Sequence, residues 1–485
     1  MGQLAIGRPF GDHMVLQRGK PAPIWGTAKA GESVQVRFGS WEQTVGVDPT
    51  GTWRTTLPAL PASKEPQAIE LRTSQEALVV DDVLVGDVWL CSGQSNMEWS
   101  IAKTDAHDAL LAADKLPLLR LFHCYRTVDL TGPELWRKTR TETYFGGAWQ
   151  ACSAKAAKDF SAVAFWFGRD LVEKLDVPIG LVMNAIGGSP TESWVPREVL
   201  AKDARFEPFV SKWPGTCVQN EWVRKIVDDG LTGWKAPEKP DRLAIPPNPF
   251  APGFLFAAGV RWLAPCALRG VLWYQGESNV LDAAMGEQLF LALVSAWRSE
   301  FKQGELPFLW AQLSSYDPGS PAAAEGWGDY RDRQRRWLEV VPASGMAVTL
   351  DIGNEKDIHP KNKRDVGRRL ALQAYAVAYG MRDIESSGPL FSALAAEADA
   401  LIVTFKHGKG LGCTGDRVLD LEIAGSDGRF VPAVGTCKGE QLHVRAEAVK
   451  EPRAVRYGFT PFSPGTLRNA AGLPASPFRA ELASR

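Results

Sequence analysis

The spacing of apolar residues changes twice along the chain and divides it into three parts. Residues 1–80 contain short apolar runs separated by glycine, proline and aspartate, among them APIWGTA, ESVQVRF and GTWRTTL. Such runs are typical of short strands, and their regular spacing predicts a small sandwich-like β module. A similar pattern returns near the end, in ALIVTFKH, LDLEIAG and QLHVRAEAV. We therefore expect a second β region over residues 393–485, with the first module as its candidate packing partner.

Residues 81–392 alternate strand patterns with helix patterns. Apolar runs of strand length occur in DDVLVGDVWLCSG, PIGLVMNAIGG, LRGVLWYQGESN, LPFLWAQL and MAVTLDIG. Helical periodicity is found in AKDFSAVAFWFGRDLVEKL, MGEQLFLALVSAWRSEF and KNKRDVGRRLALQAYAVAYG, where Gly380 is the predicted stop. The alternation predicts an α/β domain with a parallel sheet covered on both faces. Residues 200–255 are rich in proline and tryptophan, which predicts long loops or a lid inserted into this domain.

Length, charge and composition limit the classes of protein to which this chain can belong. A chain of 485 residues exceeds the usual size of one domain, so two or three domains are expected. The net charge of −1, from 55 basic and 56 acidic residues, gives no electrostatic case for binding nucleic acid or an anionic membrane. No apolar run approaches the roughly 18–20 residues of a membrane span. The 18 tryptophans offer flat faces for sugar rings, although most are expected in the core.

The seven cysteines form no CxxC pair and no zinc spacing, so buried free thiols are expected. Cys413 and Cys437 lie in one β-rich region and could pair. No histidine and aspartate cluster has metal-ligand spacing, and we expect neither metal nor cofactor. The segment MGQLAIGRPF lacks the basic and apolar regions of a signal peptide. Either the protein is cytoplasmic or a signal was removed, and a periplasmic or secreted location is the favoured alternative.

Four predicted strands end in polar or glycine-rich turns. These are Gly93-Gln94-Ser95-Asn96, Gly187-Gly188-Ser189, Gln275-Gly276-Glu277-Ser278-Asn279 and Asp351-Ile352-Gly353-Asn354. Ligands of open parallel sheets bind beyond the carboxyl ends of the strands. On one sheet, the four turns would converge on a single cleft.

Ser95, in WLCSGQSNMEWS, is the candidate nucleophile. The G-x-S-x-G elbow of α/β-hydrolases needs a second small residue where this chain has Met97, so that class is disfavoured. At a helix start, the Ser95 hydroxyl would face the cleft and its backbone N–H could stabilise an oxyanion. The alternative is a serine that only caps the following helix.

His359 is the candidate general base among six histidines, because it alone follows a buried strand, in DIGNEKDIHPKNK. Asp357 stands two residues before it and could accept a hydrogen bond from Nδ1 of His359, fixing the tautomer. Glu355 and Asp351 are weaker candidates for this acid. The alternative is a loop histidine held structurally by Asp357.

An oxyanion needs donors that stay neutral. Gly187 and Gly188 offer unhindered backbone N–H groups, and Gln275 and Asn279 offer side-chain amides. Glu277 is expected to accept a hydrogen bond from a substrate hydroxyl or to serve the loop. Pairing Glu277 with Asp351 for glycoside cleavage would leave Ser95 and His359 unexplained.

Four ordered blocks, CSGQSNMEW, GLVMNAIGGSPTESW, GVLWYQGESN and DIHPKNKRDVGRRLALQA, resemble the sialate O-acetylesterase-like branch of SGNH hydrolases. HMVLQRGKPAPIWGTAKAGESVQV resembles the N-terminal β module of that family, so the likeness spans nearly the whole chain. It implies a flavodoxin-like three-layer fold, the nucleophile Ser95, the base His359, and oxyanion donors from Ser95, Gly188 and Gln275. Many family members carry aspartate three residues before the histidine, where this chain has Lys356, and we assign the acid to Asp357 instead.

The resemblance implies a carbohydrate O-acetylesterase acting through an acyl-enzyme. Its substrate would be an O-acetylated sialic acid or, alternatively, a plant wall saccharide such as xylan or xyloglucan. The predicted substrate-binding residues are Gln94, Asn96, Gly187, Glu277, Asn279, Trp99 and Trp194. The basic run of Lys361, Lys363, Arg364, Arg368 and Arg369 is expected to be a solvated helix face. Rival readings are a non-catalytic carbohydrate-binding protein, a lipase or thioesterase, and a metal-dependent deacetylase.

Overall fold

A computed structural model describes residues 2–105, 107–127, 140–215, 221–231 and 248–483. The chain divides into two compact units. Unit 1 contains Met1–Leu272 and Ala292–Pro307, and unit 2 contains Trp273–Leu291 and Phe308–Arg485.

The strands described in unit 1 are β1 (Ala5–Ile6), β2 (Val15–Gln17), β3 (Ala22–Thr27), β4 (Ser33–Phe38), β5 (Trp41–Gly46), β6 (Thr52–Leu57), β7 (Ser63–Arg72), β8 (Ala77–Gly93), β9 (Leu119–His123), β10 (Tyr125–Arg126), β11 (Phe145–Gly146), β12 (Trp149–Ala151), β13 (Ile179–Ala185) and β14 (Gly270–Tyr274), whose last two residues belong to unit 2. The helices are α1 (Ser95–Glu98), α2 (His107–Ala113), α3 (Ala154–Lys158), α4 (Ala162–Leu175), α5 (Arg197–Lys202), α6 (Glu207–Ser211), α7 (Glu221–Leu231) and α8 (Ala283–Phe301), which has residues in both units.

Short antiparallel strands form the N-terminal part of unit 1. β3 pairs with β1 and β6, and β4 pairs with β5 and β7. Val34, Val36 and Phe38 alternate along β4 and are buried, as the period of a strand with one covered face requires. The predicted boundary after residue 80 falls inside β8, because this strand of 17 residues pairs with β7 over Ala77–Val85 and with β13 over Asp87–Gly93.

A second set of strands in unit 1 has the order β12-β9-β13-β8. β13 is parallel to β8 and to β9, and all seven of its residues are buried. β12 is antiparallel to β9, so the sheet is mixed, whereas the sequence predicted parallel strands throughout. Ala185 of β13 pairs with Gly93 of β8, which brings the ends of these two strands to the same level.

Helix α4 shows how local signals set the ends of an element. The Ser161 hydroxyl accepts a hydrogen bond from the Ala164 N–H at 3.1 Å and caps the first turn. Phe165 and Phe167 are buried. The helix ends at Asp176, which adopts the left-handed conformation with φ 53°.

The segment predicted as loops or a lid over 200–255 is partly helical. Residues 216–220 and 232–247 lie outside the described chain, but α6 and α7 fall within the segment. In α7, Val223 and Val227 are four residues apart and pack with Phe250 in a small apolar cluster. This spacing is a helix signal, which the surrounding prolines obscured in the sequence.

Unit 2 contains the strands β15 (Phe308–Ala311), β16 (Ser344–Ala347), β17 (Leu390–Glu397), β18 (Ala400–Lys406), β19 (Gly412–Cys413), β20 (Leu421–Ala424), β21 (Val431–Pro432), β22 (Val434–Lys438), β23 (Gln441–Arg445), β24 (Ala454–Tyr457), β25 (Leu467–Arg468) and β26 (Phe478–Glu481). Its further helices are α9 (Pro321–Val340) and α10 (Lys363–Val377). β15 and β16 are parallel. The later strands form two four-stranded antiparallel sheets with the orders β17-β18-β23-β22 and β21-β20-β24-β26, and β19 pairs with β25 in an antiparallel two-stranded sheet.

Helix α9 is fixed to the C-terminal strands of the same unit. The buried Arg331 guanidinium donates to the carbonyls of Gly458 at 2.9 Å and Thr460 at 2.5 Å. In the same helix, Trp337 stacks on Phe290 of α8 with ring centroids 3.9 Å apart. The predicted boundary after residue 392 lies inside β17, and the C-terminal strands belong to the same compact unit as α9.

Two further predictions concern the cysteines and the possibility of a membrane-spanning helix. Cys413 and Cys437 are half-buried free thiols, so the disulfide considered for them is absent. Among the described residues, the stretch Val280–Phe301 is long and apolar enough to cross a membrane by length and composition alone. The core helix of a soluble protein passes the same test.

Candidate active site

One group of candidate residues lies in unit 1, where β8 passes into α1. Gly93 ends β8 with φ 136°, a conformation open mainly to glycine. Gln94 is the N-cap, with its carbonyl accepting from the N–H groups of Met97 at 2.9 Å and Glu98 at 3.0 Å. Ser95 is therefore the first residue of the helix, and the alternative that it is the N-cap is wrong.

Ser95 differs from its neighbours in exposure. Gln94 and Asn96 are buried, whereas Ser95 is partly exposed. Met97 is fully buried and its sulfur accepts a hydrogen bond from the Ser161 hydroxyl at 3.8 Å, which explains why an apolar residue follows the serine. Ser95 is therefore more accessible than Gln94 and Asn96, the two neighbours that were predicted to contact substrate.

Gly187, the first of the paired glycines, lies against this serine. A Cβ atom added to Gly187 would lie 3.5 Å from the Cβ of Ser95. The N–H of Ile186 donates to the carbonyl of Gly93 at 3.2 Å. Gly188 has φ 73°, in the left-handed region that favours glycine.

Glu98 is a residue of this segment that the sequence reasoning missed. Its Oε2 accepts the Gly187 N–H at 2.6 Å, and its Oε1 lies 3.6 Å from a guanidinium nitrogen of Arg126. Burial raises the pKa of the Glu98 carboxyl, against the opposite effects of Arg126, the Gly187 N–H and Lys103. The only sequence signal was a glutamate three residues after the serine.

The two tryptophans predicted to stack on sugars differ in exposure. Trp99 is partly exposed, its indole N–H donates to the carbonyl of Lys103 at 3.2 Å, and the Lys103 ammonium lies 4.9 Å from the ring centroid. Trp194 is fully buried, and its indole N–H donates to the Ser189 hydroxyl at 2.8 Å. Trp194 offers no face to a ligand, so its predicted role in substrate stacking is corrected to a structural one.

Another group of candidate residues lies in unit 2, in the loop that follows β16. Oδ1 of Asn354 accepts the N–H groups of Lys356 at 2.9 Å and Asp357 at 3.1 Å, and Oδ1 of Asp357 accepts the N–H of His359 at 2.8 Å. The same Asp357 oxygen lies 3.9 Å from Nδ1 of His359. The predicted pair is therefore adjacent but beyond hydrogen-bond distance.

The weaker candidate Asp351 has a different partner. Its buried carboxylate accepts from both terminal nitrogens of Arg369, at 2.6 Å and 2.8 Å, and lies 3.0 Å from Arg468. A carboxylate held in this way cannot orient His359, so Asp351 is a structural ion-pair member.

The polar turn after β14 belongs to the same unit. The Gln275 side-chain amide donates to Oδ1 of Asn279 at 2.7 Å, so these two predicted donors lie together. Gly276 has φ 152°, and a Cβ there would meet the ring of Tyr330 at 2.6 Å. Gln275 and Glu277 are buried, whereas Asn279 is partly exposed.

The basic run at the start of α10 is only partly a solvated face. Lys361, Arg364 and Arg368 are exposed, but Lys363 and Arg369 are buried, and the prediction is wrong for these two. The Lys363 ammonium lies 5.7 Å from the ring centroid of Tyr274. Burial lowers the pKa of Lys363 to about 7, against the opposite effects of Glu277 and Asp357.

Within the ranges that the structure describes, no group of three or more histidine, cysteine, aspartate and glutamate side chains is placed to hold a metal ion.

The chain is similar to known carbohydrate esterases in sequence. Residues 85–220 and 257–376 match the family described as carbohydrate esterase, sialic acid-specific acetylesterase. The chain is 29% identical to the sialate O-acetylesterase of Rattus norvegicus, over 98% of this chain and 94% of that protein. It is 30% identical to the enzyme of the same name from Mus musculus, over 78% of this chain and 74% of that protein.

A solved structure is similar over the whole chain. The crystal structure of a carbohydrate acetylesterase from Xanthomonas citri aligns with a TM-score of 0.82 and 33% identity, covering 99% of this chain and 100% of that one. The two proteins share an α/β fold with mixed sheets and additional β regions. The protein is a carboxylic ester hydrolase and belongs to the carbohydrate esterase family of sialic acid-specific acetylesterases.

Proposed function

We propose that this protein removes acetyl groups from O-acetylated sugars through a covalent acetyl-serine intermediate. The observation that carries the proposal is the packing of Gly187 against Ser95, with the glycine's added Cβ 3.5 Å from the serine's Cβ. A partly exposed hydroxyl beside backbone N–H groups suits acyl transfer, which needs a nucleophile and donors for the developing oxyanion. Family membership supports the ester bond as the target.

In the first half-reaction, Oγ of Ser95 attacks the acetyl carbonyl carbon while His359 accepts the hydroxyl proton. The carbonyl oxygen becomes an oxyanion, which accepts hydrogen bonds from the N–H of Ser95, the N–H of Gly188 and the side-chain amide of Gln275. Gly188 is assigned because the N–H of Gly187 already donates to Glu98. Collapse of the intermediate breaks the ester bond, and His359 protonates the departing sugar oxygen.

In the second half-reaction, water attacks the acetyl-Ser95 ester and His359 accepts a proton from the water. The second tetrahedral intermediate uses the same donors and then releases acetate as Ser95 recovers its proton. Asp357 is assigned to orient His359. Its Oδ1 lies 3.9 Å from Nδ1 of His359, beyond hydrogen-bond distance, so its contribution to the rate is assigned as smaller than that of Ser95 or His359.

The chemical class of the substrate follows from the relatives. Sialate O-acetylesterases and a carbohydrate acetylesterase are similar over most of the chain, which supports an O-acetylated sialic acid or related sugar. Glu277 and Asn279 are assigned to contact substrate hydroxyl groups, and the partly exposed Trp99 is the tryptophan assigned to a sugar face. We further infer a flavodoxin-like three-layer arrangement of the α/β part, supported by the parallel pairing of β13 with β8 and β9.

The test compares wild type with Ser95→Ala and His359→Ala on an aryl acetate. We expect no turnover by the serine variant and nearly none by the histidine variant, with full wild-type activity in EDTA. Retained activity in Ser95→Ala would overturn the mechanism. Acetate release from acetylated sialic acid, xylan and xyloglucan oligosaccharides then identifies the substrate, and faster release from the plant saccharides would favour the wall-polysaccharide alternative. A preference for long-acyl esters would favour a lipase.

A further inference from the structure

The Glu98 carboxylate lies between the nucleophile segment and the paired glycines. Glu98 is the last residue of α1 and Ser95 is the first, so both belong to one helical turn. Oε2 of Glu98 accepts the Gly187 N–H at 2.6 Å. A Cβ added to Gly187 would lie 3.1 Å from this oxygen and 3.5 Å from the Cβ of Ser95. The carboxylate, the glycine and the serine therefore form one contiguous contact.

The residues on either side of Gly187 and Gly188 are held by hydrogen bonds between neutral groups. The N–H of Ile186 donates to the carbonyl of Gly93 at 3.2 Å, and the Ser189 hydroxyl donates to the same carbonyl at 3.4 Å. The Trp194 indole N–H donates to the Ser189 hydroxyl at 2.8 Å. These bonds fix the two ends of the turn to the end of β8. The contact from Glu98 differs because its acceptor can gain a proton.

Several charged or titratable groups face the Glu98 carboxyl. Arg126 of β10 has a guanidinium nitrogen 3.6 Å from Oε1, and Lys103 follows α1 in the chain. The buried Tyr144 also senses the Glu98 charge, and burial raises the pKa of its phenol, so it stays neutral. Burial raises the pKa of Glu98, while Arg126 and the Gly187 N–H act in the opposite direction. The side chain is 29% exposed.

We propose that ionised Glu98 is a positioning residue that holds the Gly187–Gly188 turn in the geometry needed for the oxyanion contact. The inference rests on the proposed function, because it takes Ser95 as the nucleophile and the Gly188 N–H as an oxyanion donor. The 2.6 Å bond from the Gly187 N–H fixes the orientation of the peptide group that joins Ile186 to Gly187, which is one peptide group before the Gly188 N–H.

The charge matters because a hydrogen bond to an ionised acceptor is roughly twice as strong as one between neutral groups. Protonation of Glu98 therefore loosens the turn without removing any catalytic group. Since the donors act on the oxyanion that forms during the reaction, loosening lowers kcat and leaves KM nearly unchanged.

The first experiment measures aryl acetate hydrolysis by Glu98→Ala and Glu98→Gln. The alanine variant should lose about 10- to 100-fold in kcat, less than the full loss of a donor, with KM within about threefold of wild type. The glutamine variant keeps only a neutral acceptor for the Gly187 N–H, as protonated Glu98 does, so its kcat at the pH optimum should lie between those of the alanine variant and wild type. Glu70→Gln is the matched control, because Glu70 is 30% exposed beside Arg72 at 3.4 Å in the N-terminal strands, and it should behave as wild type.

The second experiment compares the acid limb of the kcat profile in wild type, Arg126→Ala, Glu98→Gln and the double variant. Removing Arg126 takes away an influence that lowers the pKa of Glu98, so the limb should move to higher pH. In the Glu98→Gln background, Arg126→Ala should cause no such movement. An equal shift in both backgrounds, or Glu98→Ala with wild-type kcat, would overturn the proposal.

Labelling by a fluorophosphonate separates this inference from the proposed function. Wild type that is not labelled at Ser95 would refute the serine nucleophile itself. Wild type that is labelled at Ser95, together with unchanged kinetics of Glu98→Ala, would refute only the role of Glu98. If Glu98→Ala does not fold, the Arg126→Ala comparison in the two backgrounds still decides.

Discussion

Replacing Gly188 by alanine tests the assigned oxyanion donor. The same replacement at Gly19, far along the chain from the candidate site, is the control for the effect on the backbone. Gly188 has φ 73° and Gly19, in an open turn with no atom near a new Cβ, has φ 69°. A left-handed alanine costs about 1–2 kcal/mol, and loss of glycine's freedom in the unfolded chain returns about 0.4–1 kcal/mol. Each variant should therefore lose stability on the order of 1 kcal/mol.

The two variants should differ in activity. Strain at Gly188 displaces its N–H, so Gly188→Ala should lose about 10²- to 10³-fold in kcat, equivalent to about 2.7–4 kcal/mol. Gly19→Ala should keep the kcat of wild type. Aryl acetate kinetics and thermal midpoints measured on the same preparations give both quantities. Wild-type kcat in a Gly188→Ala protein that shows the expected loss of stability would refute the assignment of the donor.

Three further changes test individual residues. Trp194→Phe should lower the thermal midpoint, since the buried Ser189 hydroxyl loses its indole partner, and should leave KM unchanged; a rise in KM would restore the sugar-stacking role. Asp357→Ala should leave measurable kcat, because its oxygen is 3.9 Å from Nδ1 of His359, and complete inactivity would show a tighter contact during the reaction. Burial lowers the pKa of Lys363 from 10.5 to about 7, so the unfolded chain holds a proton between these values that the folded protein lacks. Wild-type stability should gain up to about 1.4 kcal/mol per pH unit across this window, a rise that Lys363→Met should lack when both are followed by denaturant unfolding.

The sequence predicted the parts of the site that depend on local pattern. The ends of β8 and β13 follow from apolar runs stopped by glycine, and their parallel register places Gly187 beside Ser95. The antiparallel β12 could not be predicted, because its three residues carry no pattern that fixes direction.

The errors concern side chains whose surroundings come from distant parts of the chain. Trp194 is buried with Trp297, whose indole N–H donates to its carbonyl at 2.9 Å across more than a hundred residues. From the sequence, Asp351 was a candidate catalytic acid, because the sequence does not show that Arg369 and Arg468 pair with its carboxylate. Neither partner can be identified from spacing, because each is selected by the packing of separate elements.

Lys363 is a different case, because the helical period contained the answer. Lys363 lies on the buried face of α10. The residues three, four and seven positions after it, Val366, Gly367 and Leu370, are buried on the same face. The charge of the lysine outweighed this period in the prediction. At Lys363 the helical period predicts burial, whereas the charge predicts exposure. A position where these two predictions conflict is a candidate for a functional residue.

Glu98 and Lys363 together change how the pH dependence of the enzyme should be interpreted. Burial raises the pKa of the Glu98 carboxyl and lowers that of Lys363 to about 7, so both pKa values move towards neutrality. Each group adjoins a proposed active-site segment of its own unit, with Glu98 bonded to Gly187 and Lys363 close enough to Asp357 to sense its charge. A limb of the rate profile near neutral pH therefore does not by itself report His359. Assigning it to the histidine requires that the limb persist in both Glu98→Gln and Lys363→Met, because each variant removes one of these two other titratable groups.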